Sequence, residues 1–254
     1  MLELKNVSKT FKQPDGSSVE AIRDISLRIQ EREFVAFVGP SGCGKTTLLK
    51  LIAGLEIPTN GNIIFNGGEM RLTSKERGMV FQDFALFPWL TVTENIVFGL
   101  RLQNIAKPKI QEIIAHYLEL TELERFKDIY PIGLSGGMQQ RVAIARTLAN
   151  NPRILLMDEP FGALDVETRS KMQEFLAKLW EKEHKTVVFV THDIGEAVFL
   201  ADKVFLLSSR PGTIKQEIKI DFPHPRTHEL KFSDEFFNLE RRLHIFFESH
   251  SGRR

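Results

Sequence analysis

Gly39-Pro40-Ser41-Gly42-Cys43-Gly44-Lys45-Thr46 is a complete G-x-x-x-x-G-K-T pattern, and residues of these types at this spacing can cradle the phosphates of a nucleotide. A triphosphate presents crowded negative oxygens. Glycines let successive backbone N–H groups turn towards them without a Cβ in the way, and Lys45 adds a point charge for the outer phosphates. Thr46 offers a hydroxyl to Mg²⁺, with Thr47 beside it where a helix begins and its positive dipole end faces the phosphates. A phosphate loop alone leaves kinases, GTPases and many ATPases open, so the other polar residues at strand ends must decide between them.

Two further segments carry that decision. Ile154-Leu155-Leu156-Met157-Asp158-Glu159 is an apolar run ending in two carboxylates, the pattern of a buried parallel strand delivering acids to a sheet edge. Asp158 would support the Mg²⁺ shell. Glu159 would orient or deprotonate the attacking water, since phosphoryl transfer needs a placed nucleophile more than covalent chemistry. Leu134-Ser135-Gly136-Gly137-Met138-Gln139-Gln140-Arg141 opens an apolar-periodic helix with a serine and two glycines. That arrangement makes a second anion site from an N-cap hydroxyl, bare N–H groups and a helix dipole, although an ordinary N-cap with a flexible turn would read the same in isolation.

The elements that must hold these residues follow an α/β pattern with a mainly parallel sheet. The apolar run Phe34 to Val38 predicts the strand before the phosphate loop, and Thr47 to Ala53 the helix after it. Leu2 to Ile29 reads as a hairpin turning at Gln13-Pro14-Asp15-Gly16-Ser17, with further strands at Asn62 to Asn66 and Arg77 to Gln82. Thr91-Val92-Thr93-Glu94 is a capping-box pattern opening a helix towards Gln103. Pro108 suits the first turn of the next helix, whose stripe of Ile110, Ile113, Ile114, Tyr117 and Leu118 is read as core. A helix burying Met172, Phe175, Leu176, Leu179 and Trp180 then precedes a strand at Thr186 to Val190.

Composition narrows the setting. The 254 residues are 42% hydrophobic, enough for a real core, and 34 Lys and Arg against 33 Asp and Glu leave a net charge of +1, which disfavours a nucleic acid partner. One cysteine, Cys43, cannot form an internal disulfide, which suggests a reducing compartment. Met1-Leu2-Glu3-Leu4-Lys5 has no basic n-region or apolar h-region, and charges interrupt every stretch before about 18 apolar residues accumulate, so neither a secretory leader nor a membrane span is expected.

The ordered motifs resemble those of the ATP-binding subunits of ABC transporters, whose signature is L-S-G-G-Q or a close variant placed before the acidic strand. Met138 stands where Gln is commoner, and Tyr130-Pro131-Ile132-Gly133 departs from the polar residue usual before the leucine. The resemblance implies a P-loop NTPase (RecA-like) core with an antiparallel β subdomain and a helical signature subdomain. It implies one ABC ATPase domain over 1–254, with the helical part at approximately 84–150 and a C-terminal tail, 210–254, packing on the core.

It also implies ATP and Mg²⁺ as ligands, with Thr46, Gln82 and Asp158 at the metal and Lys45, Gln82, Glu159 and His192 as catalytic residues. Phe11 looks like the aromatic that stacks on adenine, or equally a core residue. Gly162-Ala163-Leu164-Asp165 resembles the D-loop that crosses to a second subunit, and His192 matches a switch histidine at the γ-phosphate. The implied assembly is a head-to-tail dimer of two copies, each ATP lying between the Lys45 face of one and the Ser135, Gly136 and Gly137 face of the other.

Phe84-Ala85-Leu86-Phe87-Pro88-Trp89-Leu90 matches the region that receives a cytoplasmic helix of separate permease subunits, though burial in the helical part's own core would use about half of it. Such importers sit at the cytoplasmic face of the membrane and also use an extracytoplasmic solute-binding protein. Ser209-Arg210-Pro211-Gly212, Asp221-Phe222-Pro223-His224-Pro225-Arg226 and Ser233-Asp234-Glu235-Phe236, with Met138, resemble the nitrate, sulfonate and taurine importer subgroup. Importers of other small molecules such as pyrimidine precursors share similar tails. Soluble ABC ATPases outside transport share the motifs but usually carry two cassettes, a basic linker or a coiled-coil insertion, none of which this sequence has.

Overall fold

The computed structural model describes residues 1–70, 72–103 and 105–250, with side chains through residue 247. The chain divides into two compact units, Met1–Ser74 with Gln173–Arg254, and Lys75–Met172. The helices expected over 84–150 fall inside the second. Residues 251–254 of the expected tail lie outside the described residues.

The first unit holds two sheets. β1 (Leu2–Lys12) and β2 (Ser18–Ile29) form the expected antiparallel hairpin, and β4 (Asn60–Phe65) and β5 (Gly68–Glu69) extend it in the order β2-β1-β4-β5. The hairpin turn is local chemistry, with Asp15 Oδ1 accepting from Ser17 N at 2.9 Å and from Ser17 Oγ at 2.7 Å. In the other sheet, β3 (Phe34–Val38) lies between parallel partners β8 (Thr186–Thr191) and β9 (Lys203–Leu207), and β10 (Ile214–Lys219) pairs antiparallel with β9.

Every residue of β3 and β8 is buried, as expected of parallel strands covered on both faces and read as continuous apolar runs. Phe37 stacks on Phe205 with ring centroids 5.1 Å apart on one face of the sheet, Phe34 packs on Phe189 at 5.9 Å on the other, and all four are buried. α1 (Lys45–Ala53) leaves the end of β3 through the phosphate loop. The short helix α6 (Ile194–Leu200) packs on β3 and β8, and α7 (Asp234–His250) packs on α6 and buries Phe236 and Leu243.

In the second unit β6 (Arg77–Val80) runs parallel to β7 (Ile154–Asp158), and α4 (Gly136–Ala149) packs against α2 (Val92–Arg101) and α3 (Lys107–Leu120). The α2 N-terminus is the expected capping box. The α3 stripe differs from expectation along its length: Tyr117 and Leu118 are buried, while Ile110, Ile113 and Ile114 are only half-buried. Its C-terminal end is the anchored one, the Tyr117 hydroxyl donating to Leu148 O at 3.0 Å. α5 (Val166–Glu183) runs from the second unit into the first and buries Met172, Phe175, Leu176 and Leu179 as expected, while Trp180 is half-buried. Among the described residues no helix is long and apolar enough to cross a membrane.

Candidate nucleotide site

Register places the first group of candidate residues. Val38 at the end of β3 stands opposite Thr191 of β8 and Leu206 of β9, so the phosphate loop, His192 and the segment after Leu207 all leave one edge of the sheet. The loop enters α1 through Gly44, whose φ of 103° is open to glycine and costly for other residues, and this N-cap carries no side-chain hydrogen bond. Lys45 is 4% exposed and folds back over the loop, its Nζ donating to Gly39 O at 2.8 Å and Pro40 O at 3.2 Å. Cys43 is buried, Ser41, Gly42 and Thr46 are exposed, and Pro40, Gly44 and Thr47 are half-buried.

Two tail residues missed in the sequence reading buttress this loop. Arg210 Nε donates to Gly42 O at 3.2 Å. Gly212 N donates to Ala21 O at 2.9 Å, and a Cβ at Gly212 would lie 2.1 Å from Cys43 O. Nothing in the local pattern announces these contacts, because more than 150 positions separate the partners in sequence, as the separation of 168 between Arg210 and Gly42 illustrates. His192 is exposed directly after Thr191, and Phe11 is half-buried on β1 with Lys9 Nζ 4.9 Å from its ring centroid.

In the other unit the same device places a second group of candidate residues. β6 and β7 pair in parallel with Val80 opposite Met157, so Gln82 and the Asp158-Glu159 pair emerge side by side. A Cβ at Gly162 would meet Gln82 Nε2 at 3.3 Å and Glu159 Cβ at 3.9 Å. Asp158 is 8% exposed, and Glu159 is held at φ 43°, a left-handed conformation costing about 1–2 kcal/mol for a residue with a side chain. No sequence signal announced this conformation.

Ser135 is the N-cap of α4, its Oγ accepting from Met138 N at 3.3 Å. Gly136 and Gly137 are tight against the D-loop segment: a Cβ on each would lie 3.2 Å from Leu164 Cδ2 and 2.8 Å from Thr168 Cγ2. Asp165 Oδ1 accepts from Thr168 N at 2.9 Å, and hydrogen bonds from Thr168 hold its carboxyl below the usual range. Gln139, not Met138, ties the signature to the preceding turn, Nε2 donating to Pro131 O at 3.0 Å and Leu134 O at 3.2 Å.

The segment after Gln82 is held from α4 by Arg146. Phe84 and Ala85 both have positive φ, 52° and 48°, and Arg146 donates to their carbonyls at 3.3 and 2.7 Å while its guanidinium lies 5.3 Å from the Phe87 ring centroid. Burial pulls the Arg146 guanidinium below its ordinary value. Beside it a cavity of about 420 Å³ is lined by Arg77, Phe81, Phe87, Phe98 and Arg146 among others, and Trp89 is 69% exposed. The expected site residues are thus divided: the phosphate loop and His192 belong to one unit, and Gln82, Ser135, Asp158, Glu159 and Asp165 to the other.

A phosphate loop at a parallel strand end, an acidic strand paired to a glutamine strand, and a serine-glycine helix start define an ATP-binding cassette. The family model described as "ABC transporter" matches residues 22–162, and the chain belongs to that family. The nitrate import ATP-binding protein NrtD of Synechocystis is 47% identical over 93% of this chain and 91% of its own length. The taurine import ATP-binding protein TauB of Ruegeria pomeroyi is 46% identical over 87% and 82%. Among solved structures, the dimeric post-hydrolysis state of the ATP-binding cassette MJ0796 bound to ADP and Pi superimposes with a TM-score of 0.75 at 39% identity, covering 88% of this chain and all of that one. The fold is therefore the α/β P-loop NTPase core with an antiparallel β subdomain and a helical subdomain, and the chain is an ATP-binding ATPase.

Proposed function

We propose that this chain powers a membrane importer of small oxyanions or sulfonates, hydrolysing ATP as a peripheral subunit on the cytoplasmic side of separate permease subunits. Substantial identity to nitrate and taurine import subunits over most of the chain supports that substrate class. The permease groove would be the aromatic cavity beside Arg146, with the exposed Trp89 5.7 Å from its lining residue Phe87. An extracytoplasmic protein would deliver the solute.

In this reading the backbone from Gly39 to Thr46 and the Lys45 ammonium hold the phosphates, and Phe11 stacks on adenine. The Glu159 carboxylate accepts the proton of the attacking water or orients it, Gln82 holds that water from the neighbouring strand end, and His192 contacts the γ-phosphate. Ser135, Gly136 and Gly137 of a second copy close over the same phosphate, with Asp165 at the dimer seam. The hydroxyl of Thr46, the carbonyl of Gln82 and the carboxylate of Asp158 are the hard oxygen donors that suit Mg²⁺. When bound, that ion would neutralise charge on the phosphates.

The observation that carries the reading is the meeting of Gln82, Glu159 and Gly162 at the ends of β6 and β7. Light scattering of Glu159→Gln tests it. With Mg-ATP the variant is expected to shift from monomer to dimer and to hydrolyse no ATP; a monomer saturated with ATP would count against the sandwich.

A further inference from the structure

We propose that the C-terminal segment from Phe222 to Lys231 is a positioning element for His192, gripping both ends of α6. The catalytic half of this inference rests on the proposed contact between His192 and the γ-phosphate; the positioning itself does not.

His192 stands between Thr191, the last residue of β8, and Asp193, the N-cap of α6. An exposed side chain takes its place largely from the backbone on either side. On the near side that backbone is set by a buried hydrogen-bond chain. Asp193 N donates to Thr191 Oγ1 at 3.0 Å, Thr191 Oγ1 donates to Glu196 Oε2 at 2.6 Å, and Gln173 Nε2 donates to Glu196 Oε1 at 3.2 Å. Gln173 Oε1 in turn accepts from Lys231 Nζ, which also lies 4.5 Å from the Phe199 ring centroid. Thr191, Gln173 and Glu196 are 2%, 4% and 5% exposed. A buried carboxylate needs donors and a cation nearby, and Lys231 supplies the charge through the Gln173 amide. Burial pushes the Lys231 amine down, and Asp193, Glu196, Glu174 and Glu240 pull it back up.

The far end of α6 is held by Arg226. Its Nη1 donates to the carbonyls of Val198, Phe199 and Ala201 at 3.4, 3.1 and 2.8 Å, and its Nε and Nη2 donate to Phe222 O at 3.3 and 3.2 Å. These are the acceptors that a helix C-terminus leaves unpaired. Burial pulls the guanidinium down to about 10, against the charges of Asp202 and Glu181. At seven residues α6 is far below the roughly 12–15 needed for a helix to persist alone, so its place depends on what holds its ends.

The test compares Lys231→Met, Lys231→Arg and Gln173→Leu in the full chain, each alone and with His192→Ala. Amide exchange of the nucleotide-free protein is read across residues 190–197, and kcat and KM are read for ATP. Lys231→Met and Gln173→Leu are expected to raise exchange in that window and lower kcat about tenfold, as sub-ångström misplacement does, with KM nearly unchanged. Lys231→Arg should restore most of both. In the His192→Ala background Lys231→Met should cost nothing further. Unchanged exchange in both Lys231→Met and Gln173→Leu would overturn the positioning, and an undiminished cost in the His192→Ala background would show that Lys231 acts elsewhere and overturn the link to His192. Full turnover by His192→Ala alone would overturn the reading of His192, with the exchange result still deciding the grip on α6.

Discussion

At the start of α2, Thr91 Oγ1 accepts from Glu94 N at 3.3 Å and Glu94 Oε2 accepts from Thr91 N at 2.9 Å. At the start of α1 the N-cap is Gly44, no side chain caps the helix, and the first turn holds no acid. The α4 start lies between these two, with Ser135 capping Met138 N and no acid in its first turn. A helix N-terminus leaves several N–H groups without intrahelical partners, and they must be satisfied by something. At α2 the protein takes them all: Val92 N donates to Ile129 O at 2.9 Å, Thr93 N to Lys127 O at 3.0 Å, and Glu94 N to the Thr91 cap. α1 has no such side-chain cap, and on the proposed reading its start serves a phosphate, with Lys45, held on the carbonyls of Gly39 and Pro40, as the cation beside it. On that reading, a structural and a ligand-binding helix start differ in whether the protein provides acceptors for the first N–H groups.

The contrast can be broken at each start. Lys45→Ala should have the largest effect, lowering ATP turnover roughly 10²–10³-fold by removing a preorganised charge, with binding weakened in calorimetry. Gly44→Ala should come next, costing about 2 kcal/mol or more in urea unfolding, because φ 103° excludes a Cβ that would also lie 2.6 Å from Ile22 Cγ2. Ser135→Ala should cost about 1 kcal/mol of stability through the lost cap and also reduce ATP-driven dimerisation in light scattering. Thr91→Ala should cost a similar ~1 kcal/mol yet leave ATP affinity and turnover as they were, since the α2 start is closed by the protein's own acceptors.

A pH series sharpens the last case. The Thr91 backbone N–H, with the Thr91 hydroxyl, holds the Glu94 carboxyl below its ordinary range. A group depressed in the folded state stabilises fully above its unfolded pKa and loses that contribution as pH falls through the folded value. The N–H of position 91 survives in Thr91→Ala, so the carboxylate is tested by Glu94→Ala, whose stability deficit should narrow in acid; a constant deficit would mean that the Glu94 half of the box adds nothing.

Local patterns carried much of this molecule. The phosphate loop, the capping box at Thr91, the Ser135 cap and the all-buried strands are each contained in a few consecutive residues, because turns, caps and strand burial depend on near neighbours. Arg146, Arg210, Gly212, Arg226 and Lys231 were not legible as site-supporting residues. Each acts on backbone or amide groups that lie far away in sequence, and a charged residue bound to distant carbonyls looks in sequence like one turned to water.

The sequence by itself determined the chemistry available: which loop can hold phosphates, which strands end in acids, and which helix starts are left uncapped. Only the tertiary structure decided their register and strain. Parallel pairing set Val38 against Thr191 and Val80 against Met157, the packing of the second unit held Glu159 at a positive φ, and the tail took hold of α6. Those outcomes depend on contacts between segments remote in the chain, whose closure is set by the whole fold and by no local preference.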